Sequence, residues 1–248
     1  MSTRDWDAAT YDRIANPMTR WGEAVLERLV LTGSERVLDA GCGSGRVTEQ
    51  LLQRLPAGSV VALDASPGMV EEARRRLAAF GERVQYVVAD LARPLPIAPV
   101  DAILSTATFH WIADHEALFA NLAAVLGPGG QLVAQCGGAG NLASVMAVID
   151  RIDPDRRLWR PWHFATPEDT ERRLLAAGFQ DVETWLHDEP TTIPGDAVAD
   201  YLRTIVLGAT LDRMPEPDRE PFVHAVADAL PDGRLDYVRL NIVARRAA

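Results

Sequence analysis

The chain has 248 residues and is 48% hydrophobic and 24% charged, an ordinary globular balance that argues against extended disorder. At this length an α/β chain is commonly one domain, so a single domain (residues 1–248) carrying a lid is expected. The formal net charge of −10 argues against a nucleic-acid partner, because duplex-DNA and tRNA binders need a basic face to release counterions.

The N-terminal stretch Met-Ser-Thr-Arg-Asp-Trp-Asp is polar and does not read as a signal peptide. No apolar run approaches the ~20 residues needed to span a bilayer. A cytoplasmic protein with no membrane partner is expected. Residues 1–30 are expected to form a helical arm ahead of the core. In it Val25, Leu26, Leu29 and Val30 fall on one face of a helix from Glu23 to Val30. The apolar run Arg36 to Ala40, between Gly33 and Gly41, predicts the first strand. Val47, Leu51, Leu52 and Leu55 then have helical spacing.

Ser59 to Leu63 is a continuous apolar run, as in strands buried on both faces of a parallel sheet, and Asp64 ends it. Ser66-Pro67 supplies an N-cap and a first-turn proline for a helix with Met69, Val70, Ala73 and Leu77 inward. Arg74-Arg75-Arg76, following Glu71-Glu72, reads as its solvated, dipole-matched face. Val84 to Ala89 predicts a third strand, ended by Asp90, and Val100 to Leu104 a fourth. Asp114 caps a helix carrying Leu118, Leu122, Val125 and Leu126. Gly127-Pro128-Gly129-Gly130 stops it before a fifth strand, Gln131 to Gln135.

Five alternations of strand and helix predict a doubly wound parallel sheet and a cofactor-binding core over residues 31–136. Residues 137–235 are expected to form a substrate-facing lid region. There Thr166-Pro167-Glu168-Asp169 starts a helix that Gly178 ends. A strand follows near 181–186, then helices over Asp196 to Leu211 and Pro217 to Leu230. The closing strand, 236–246, has no crossover helix before it. The prediction is a Rossmann-like α/β fold: a seven-stranded sheet, mostly parallel, with an antiparallel C-terminal hairpin and a helical lid.

The chemistry begins at Gly41-Cys42-Gly43-Ser44-Gly45-Arg46, a glycine-rich turn that leaves the first strand and enters a helix. Glycines let backbone approach a ligand, and the helix behind offers unpaired N–H groups to it. The dinucleotide fingerprint needs a third small residue where Arg46 stands. The Gly-x-Gly-x-Gly spacing therefore points away from NAD and towards S-adenosylmethionine. No G-x-x-x-x-G-K-[ST] sequence is present. Asp64, at the end of the second strand, is suited to ribose hydroxyls. Asp90, ending the third, is suited to an adenine amino group. Cys42 lies in the glycine loop and Cys136 reads as core. The two have neither a disulfide pattern nor metal spacing, and no metal site is expected.

The sequence resembles class I S-adenosylmethionine-dependent methyltransferases, and within them the trans-aconitate methyltransferase-like group. The segments that carry the resemblance are Val37 to Gly45, Ala62 to Met69, Ala89-Asp90-Leu91, Ser105 to Ile112, and Leu126 to Gly130. The N-terminal Trp6, Tyr11, Arg13 and Thr19-Arg20 look like that group's arm. The resemblance implies that Gly41, Cys42, Gly43 and Gly45 lie along the methionine moiety. It places Asp64 at the ribose, Ala65 and Met69 at the adenine edge, and Asp90 and Leu91 on the adenine ring. Ser105 and Thr106 fall at the sulfonium side, where relatives often carry Asn instead of Thr106. Tyr11 and Arg20 of the arm would close over the cofactor, with Arg13 towards substrate. Arg13 or Arg20 would clamp a substrate carboxylate or the cofactor's own.

His110, just after the fourth strand, is the candidate catalytic residue, as a general base or as a hydrogen-bond donor to substrate; the alternative is a structural histidine packed beside Trp111. Trp111 lines the substrate pocket or packs the core. Trp159, Trp162 and His163 line an apolar pocket or pack the lid. The expected chemistry is in-line methyl transfer to a small molecule. An ionised carboxylate needs no base, whereas a phenol does. With no acid–base pair evident, the resemblance favours carboxylate O-methylation. Transfer to a phenol, amine or carbon is an alternative, as is a protein that binds S-adenosylmethionine without methylating, or an NAD-type oxidoreductase. A monomer or homodimer is expected.

Overall fold

In the computed structural model the apolar run Arg36–Ala40 forms the first strand, β1. The structure describes residues 16–248 except 156 and 231, and side chains from Trp21 onward. Trp6, Tyr11 and Arg13 lie outside the described residues, as does the side chain of Arg20. β2 (Ser59–Asp64) pairs with β1 in parallel, and β3 (Val84–Val88) pairs with β2. β4 (Val100–Thr106) takes the other side of β1, and β5 (Leu126–Gly137) follows it in parallel. Beyond β5 the closing strand β9 (Val238–Arg246) runs antiparallel, and β6 (Phe179–Asp188) forms the far edge. The sheet order is β3-β2-β1-β4-β5-β9-β6, with a separate ribbon of β7 (Thr191–Thr192) and β8 (Arg234–Leu235). The winding direction reverses between β1 and β4, and at such a switch point the strand ends part to leave a crevice.

The helices begin where their caps predict. α1 is Asn16–Leu26 and α2 is Arg46–Gln53. At α3 (Pro67–Arg76) the Ser66 hydroxyl accepts the Met69 N–H at 3.2 Å. At α4 (His115–Val125) Asp114 accepts the Ala117 N–H at 2.9 Å. α5 is Ala143–Ile152, and at α6 (Pro167–Ala176) Thr166 accepts the Asp169 N–H at 3.2 Å. Each such cap is worth about 1 kcal/mol. The sheet is buried on both faces: Leu38, Leu63, Ile103 and Phe119 belong to one cluster, Val37, Leu52, Val60 and Leu104 to the other. A third cluster packs Trp21 and Ile149 against Leu202, Val206 and Val226. No helix among the described residues is long and apolar enough to cross a membrane.

Three of the boundaries that differ from expectation have a visible cause. α1 stops at Leu26, and the chain tightens through Arg28 N–H to Val25 and Leu29 N–H to Leu26 contacts of 3.1 and 3.2 Å. That turn keeps Leu29 buried but swings Val30 outward, to 74% exposure. β5 begins at Leu126, and its Gly127–Gly130 segment is a bulge between the Val100↔Leu126 and Ala102↔Gln131 pairs. Gly130 is needed there, since a Cβ would lie 2.8 Å from the Asp101 carbonyl. The single helix expected over 196–211 is broken into α7 (Val198–Tyr201), a π turn Leu202–Val206, and α8 (Gly208–Leu211). Within the turn Leu207 N–H donates to Leu202 O at 2.7 Å. α9 (Glu216–Asp228) follows.

Asp39 of β1 is 1% exposed, and burial pushes its carboxyl up to about 7 from an ordinary 3.8, although the Thr48 hydroxyl donates to it at 2.6 Å. The folded state therefore holds a proton that the unfolded chain releases as pH rises from about 4 to about 7, and this carboxyl weakens folding across that window. In urea unfolding at pH 5 and pH 8, Asp39→Asn should gain on the wild type by up to about 3 kcal/mol between the two. An unchanged difference would show that Asp39 is ionised throughout.

Candidate active site

The glycine loop is shaped by three positive φ angles, at Gly41 (85°), Gly43 (53°) and Gly45 (84°). The N–H groups of Gly41 and Cys42 donate to Leu63 O at 2.8 and 2.9 Å, tying the loop to the end of β2. A Cβ on Gly41 would stand 2.1 Å from the Thr108 hydroxyl, so β4's exit loop closes directly on this glycine. Gly41→Ala should therefore cost about 2 kcal/mol or more in thermal or urea unfolding, from left-handed strain plus the clash. A variant as stable as wild type would mean that the loop moves aside freely. Gly43 is different: a Cβ there would meet nothing within 4 Å, because the glycine faces open cavity.

That cavity, of about 580 Å³, lies over the carboxyl ends of β1, β2 and β4, within the usual size of small-molecule sites. Gly41, Gly43, Asp64, Ala65, Met69 and Asp90 line one end. Asp64 accepts the Gly43 N–H at 3.0 Å and the Ser66 N–H at 2.9 Å. These bonds hold the carboxylate in place, while burial raises its pKa. Asp90 is held by the Ala92 N–H at 2.9 Å, and Leu91 is buried beside it. Leu91, Thr106, Trp111 and Trp162 also line the cavity.

Three of the expected cofactor residues do not line it. Gly45 caps α2, and its Cβ would lie 3.2 Å from Ala73, so its smallness serves helix packing. Cys42 is buried with its sulfur near the Gly43 carbonyl, at 3.5 Å. Ser105 is buried, and its hydroxyl donates to Ala40 O at 2.6 Å, which braces β4 against β1. Its neighbour Ala107 carries a positive φ of 55°, a strained left-handed turn that carries the chain from β4 over the glycine loop.

At the other end stand the aromatic residues. His110 is buried and lies 5.0 Å from Trp111 and 6.1 Å from Phe164 between ring centroids. Trp162 stacks on Phe164 at 6.5 Å. The Nδ1 atom of His110 accepts the Gly137 N–H at 3.2 Å, so the neutral ring carries its proton on Nε2. Burial first, and the Arg239 charge next, hold this imidazole well below its ordinary pKa. His163 lies outside the cavity lining; its backbone N–H donates to His110 O at 2.8 Å, which joins the segment after α5 to the β4 exit. Its ring packs edge-on to His115 at 4.5 Å.

Among the cavity residues that have no place in the glycine-loop and strand-end patterns are Trp21, Arg213, Tyr237 and Arg239. Arg239 and Asn241 are both fully buried in β9, at alternate positions among Val238, Leu240 and Ile242. Two polar side chains on one side of a central strand were a legible signal, since charges are seldom buried without a task.

Residues 37–130 match a family model described as a methyltransferase domain. The chain is 32% identical to the trans-aconitate 2-methyltransferase of Methylobacterium nodulans, over 98% of each protein. It belongs to the S-adenosylmethionine-dependent methyltransferases, in the family of the trans-aconitate 2-methyltransferases. Solved structures agree on the fold. The YcgJ protein of Bacillus subtilis aligns at a TM-score of 0.67 and 17% identity, over 92% of this chain and 99% of its own. Phosphoethanolamine N-methyltransferase 2 of Haemonchus contortus, solved with S-adenosyl-L-methionine, aligns at 0.65 and 20%, over 97% and 57% respectively. The open space at Gly43 and the two strand-end carboxylates fit a nucleoside with a short polar tail.

Proposed function

We propose that the protein O-methylates a carboxylate of a small organic acid. The observation that carries this reading is His110: its Nδ1 lone pair is occupied by Gly137 N–H, and its environment disfavours a second proton. Such a histidine donates a hydrogen bond from Nε2 and is a poor base. When bound, S-adenosylmethionine supplies a sulfonium methyl whose S–CH3 electron pair stays on sulfur as the new C–O bond forms, so an ionised carboxylate needs no proton removed. What the chain adds is orientation and exclusion of water. His110 steadies the acceptor oxygen, Trp111 and Trp162 flank the acid's carbon skeleton, and Asp64 and Asp90 hold ribose and adenine. Residues 31–136 hold the cofactor, 137–235 cover the acceptor, and the arm, 1–30 with Tyr11, Arg13 and Arg20, closes the methionine end. The protein works in the cytoplasm.

Calorimetric titration with S-adenosylmethionine and S-adenosylhomocysteine, with NADH as control, comes first. A labelled-methyl screen of small acids, phenols and amines, trans-aconitate included, follows. Product from acids alone supports the reading; product only from phenols or amines rejects it. Cofactor binding without product across the panel would favour a non-methylating binder.

A further inference from the structure

The acceptor end of the cavity contains a charge that methyl transfer to a carboxylate does not use. Arg239, 3% exposed, lines the cavity with its guanidinium 4.6 Å over the Trp21 ring. Its position is built. Nε donates to Gln135 Oε1 at 3.4 Å, and Gln135 Nε2 donates to Asn241 Oδ1 at 2.8 Å. Asn241 Oδ1 also accepts from Arg28 at 2.5 Å, and Asn241 Nδ2 donates to the Arg239 carbonyl at 3.2 Å. The amide orientations of Gln135 and Asn241 are both fixed by these partners. Beside it, the indole N–H of Trp21, a residue 4% exposed that also lines the cavity, has no hydrogen-bond partner among the described residues. A cation and a buried, unsatisfied donor side by side make a receptor for an anionic oxygen group.

Two anions could come here, the cofactor's carboxylate or one from the substrate. Topology favours the substrate. The glycine loop, Asp64 and Asp90 follow β1, β2 and β3, whereas Arg239 is on β9, two strands past β4 on the opposite side. Gly137, whose N–H orients His110, pairs directly with Arg239 across β5 and β9. Arg239 and His110 therefore share the acceptor end. Yet a cation gripping the reacting carboxylate would oppose the reaction, because that group's charge disappears as its ester forms. The attraction would be strongest in the ground state and would raise the barrier. A carboxylate that does not react keeps its charge throughout, and gripping it costs nothing at the transition state.

Resting on the carboxylate reading above, we propose that Arg239 is the specificity-determining residue of the acceptor site. It binds a second, non-reacting carboxylate of the substrate, with the Trp21 indole N–H as co-donor and Gln135 as its positioning residue. Wild type, R239M, R239K and Q135L are compared for methylation of trans-aconitate and of crotonate, a monocarboxylate, with S-adenosylhomocysteine affinity measured for each. Wild type should prefer trans-aconitate in kcat/KM by at least about thirtyfold. R239M should raise the KM for trans-aconitate by a similar factor with little change in kcat, and collapse the preference. R239K should recover part of it, and Q135L should fall between. S-adenosylhomocysteine affinity should stay within about threefold in every variant. An R239M that keeps the preference overturns the proposal, as does one that loses cofactor affinity instead. Equal use of both acids by wild type rejects the role of Arg239 alone. A wild type that binds cofactor but methylates neither acid rejects the carboxylate reading, and the role of Arg239 with it.

Discussion

Asp64→Ala should lower the affinity for S-adenosylhomocysteine by more than a hundredfold in calorimetric titration. The carboxylate is held in advance by Gly43 and Ser66 N–H groups at 3.0 and 2.9 Å, so its free lone pairs face the cavity without further ordering. Hydrogen bonds to a charged acceptor are worth about 1.5–3 kcal/mol each, and two ribose hydroxyls would be lost together. About 3 kcal/mol is already more than a hundredfold. Asp64→Asn should fall between, since an amide oxygen still accepts but without charge. The variant also frees the Gly43 N–H, so its melting temperature without ligand must be compared with wild type. A folded Asp64→Ala that binds within tenfold of wild type would remove this residue from the nucleoside site.

The second large effect is expected at His110. His110→Ala should reduce kcat for the methylated acid by about ten- to a hundredfold, since the contact that aims the acceptor oxygen at the methyl group is lost and the Gly137 N–H is left unpaired. His110→Asn should recover much of that loss. Its amide can accept from Gly137 and donate to substrate, but cannot take up a proton. A base would behave otherwise: neither Asn nor Ala could replace it. The pH dependence of the wild type gives the same distinction. With the imidazole pKa depressed by burial and by Arg239, the ring stays neutral from pH 6.5 upward, and kcat should be flat from there to about pH 9. An Asn variant as slow as Ala would make His110 the base and disfavour a carboxylate acceptor.

A milder effect concerns stability in acid. His115 donates through Nε2 to the Phe109 carbonyl at 3.0 Å, and burial lowers its pKa to about 4 from 6.5. The unfolded chain takes up this proton first as pH falls, so His115 should cost the fold up to about 3 kcal/mol between pH 6.5 and pH 4. Urea unfolding of wild type and His115→Gln at the two pH values measures it. Parallel losses in both proteins would assign the acid sensitivity elsewhere.

Much of the fold was legible because it is local. β1 was placed to the residue by an apolar run between glycines, and three helix starts by Ser66, Asp114 and Thr166, whose side chains bond the N–H three residues on. The glycine loop and the two strand-end aspartates were readable too, since a parallel strand must end in a turn and its spacing selects the ligand. Where pattern and structure parted, a distant contact decided. α1 was over-extended to Val30, whose N–H instead bonds the Gln131 side chain at 3.0 Å. Gly45 matched the motif, yet its neighbour is α3, which no local spacing announces.

By itself, then, the amino-acid order determined the alternation of strand and helix, the cofactor class and the carboxylates at the strand ends. Those features follow from periodicity, capping and turn chemistry within a dozen residues or so. Only the tertiary structure decided which nitrogen of His110 carries its proton and brought Arg239 into the cavity. The first depends on Gly137 of β5 meeting His110, 27 residues away, and the second on β5 lying beside β9, a pairing of residues about a hundred positions apart. Long-range pairing is settled by burial of the whole sheet, and a linear pattern does not carry it.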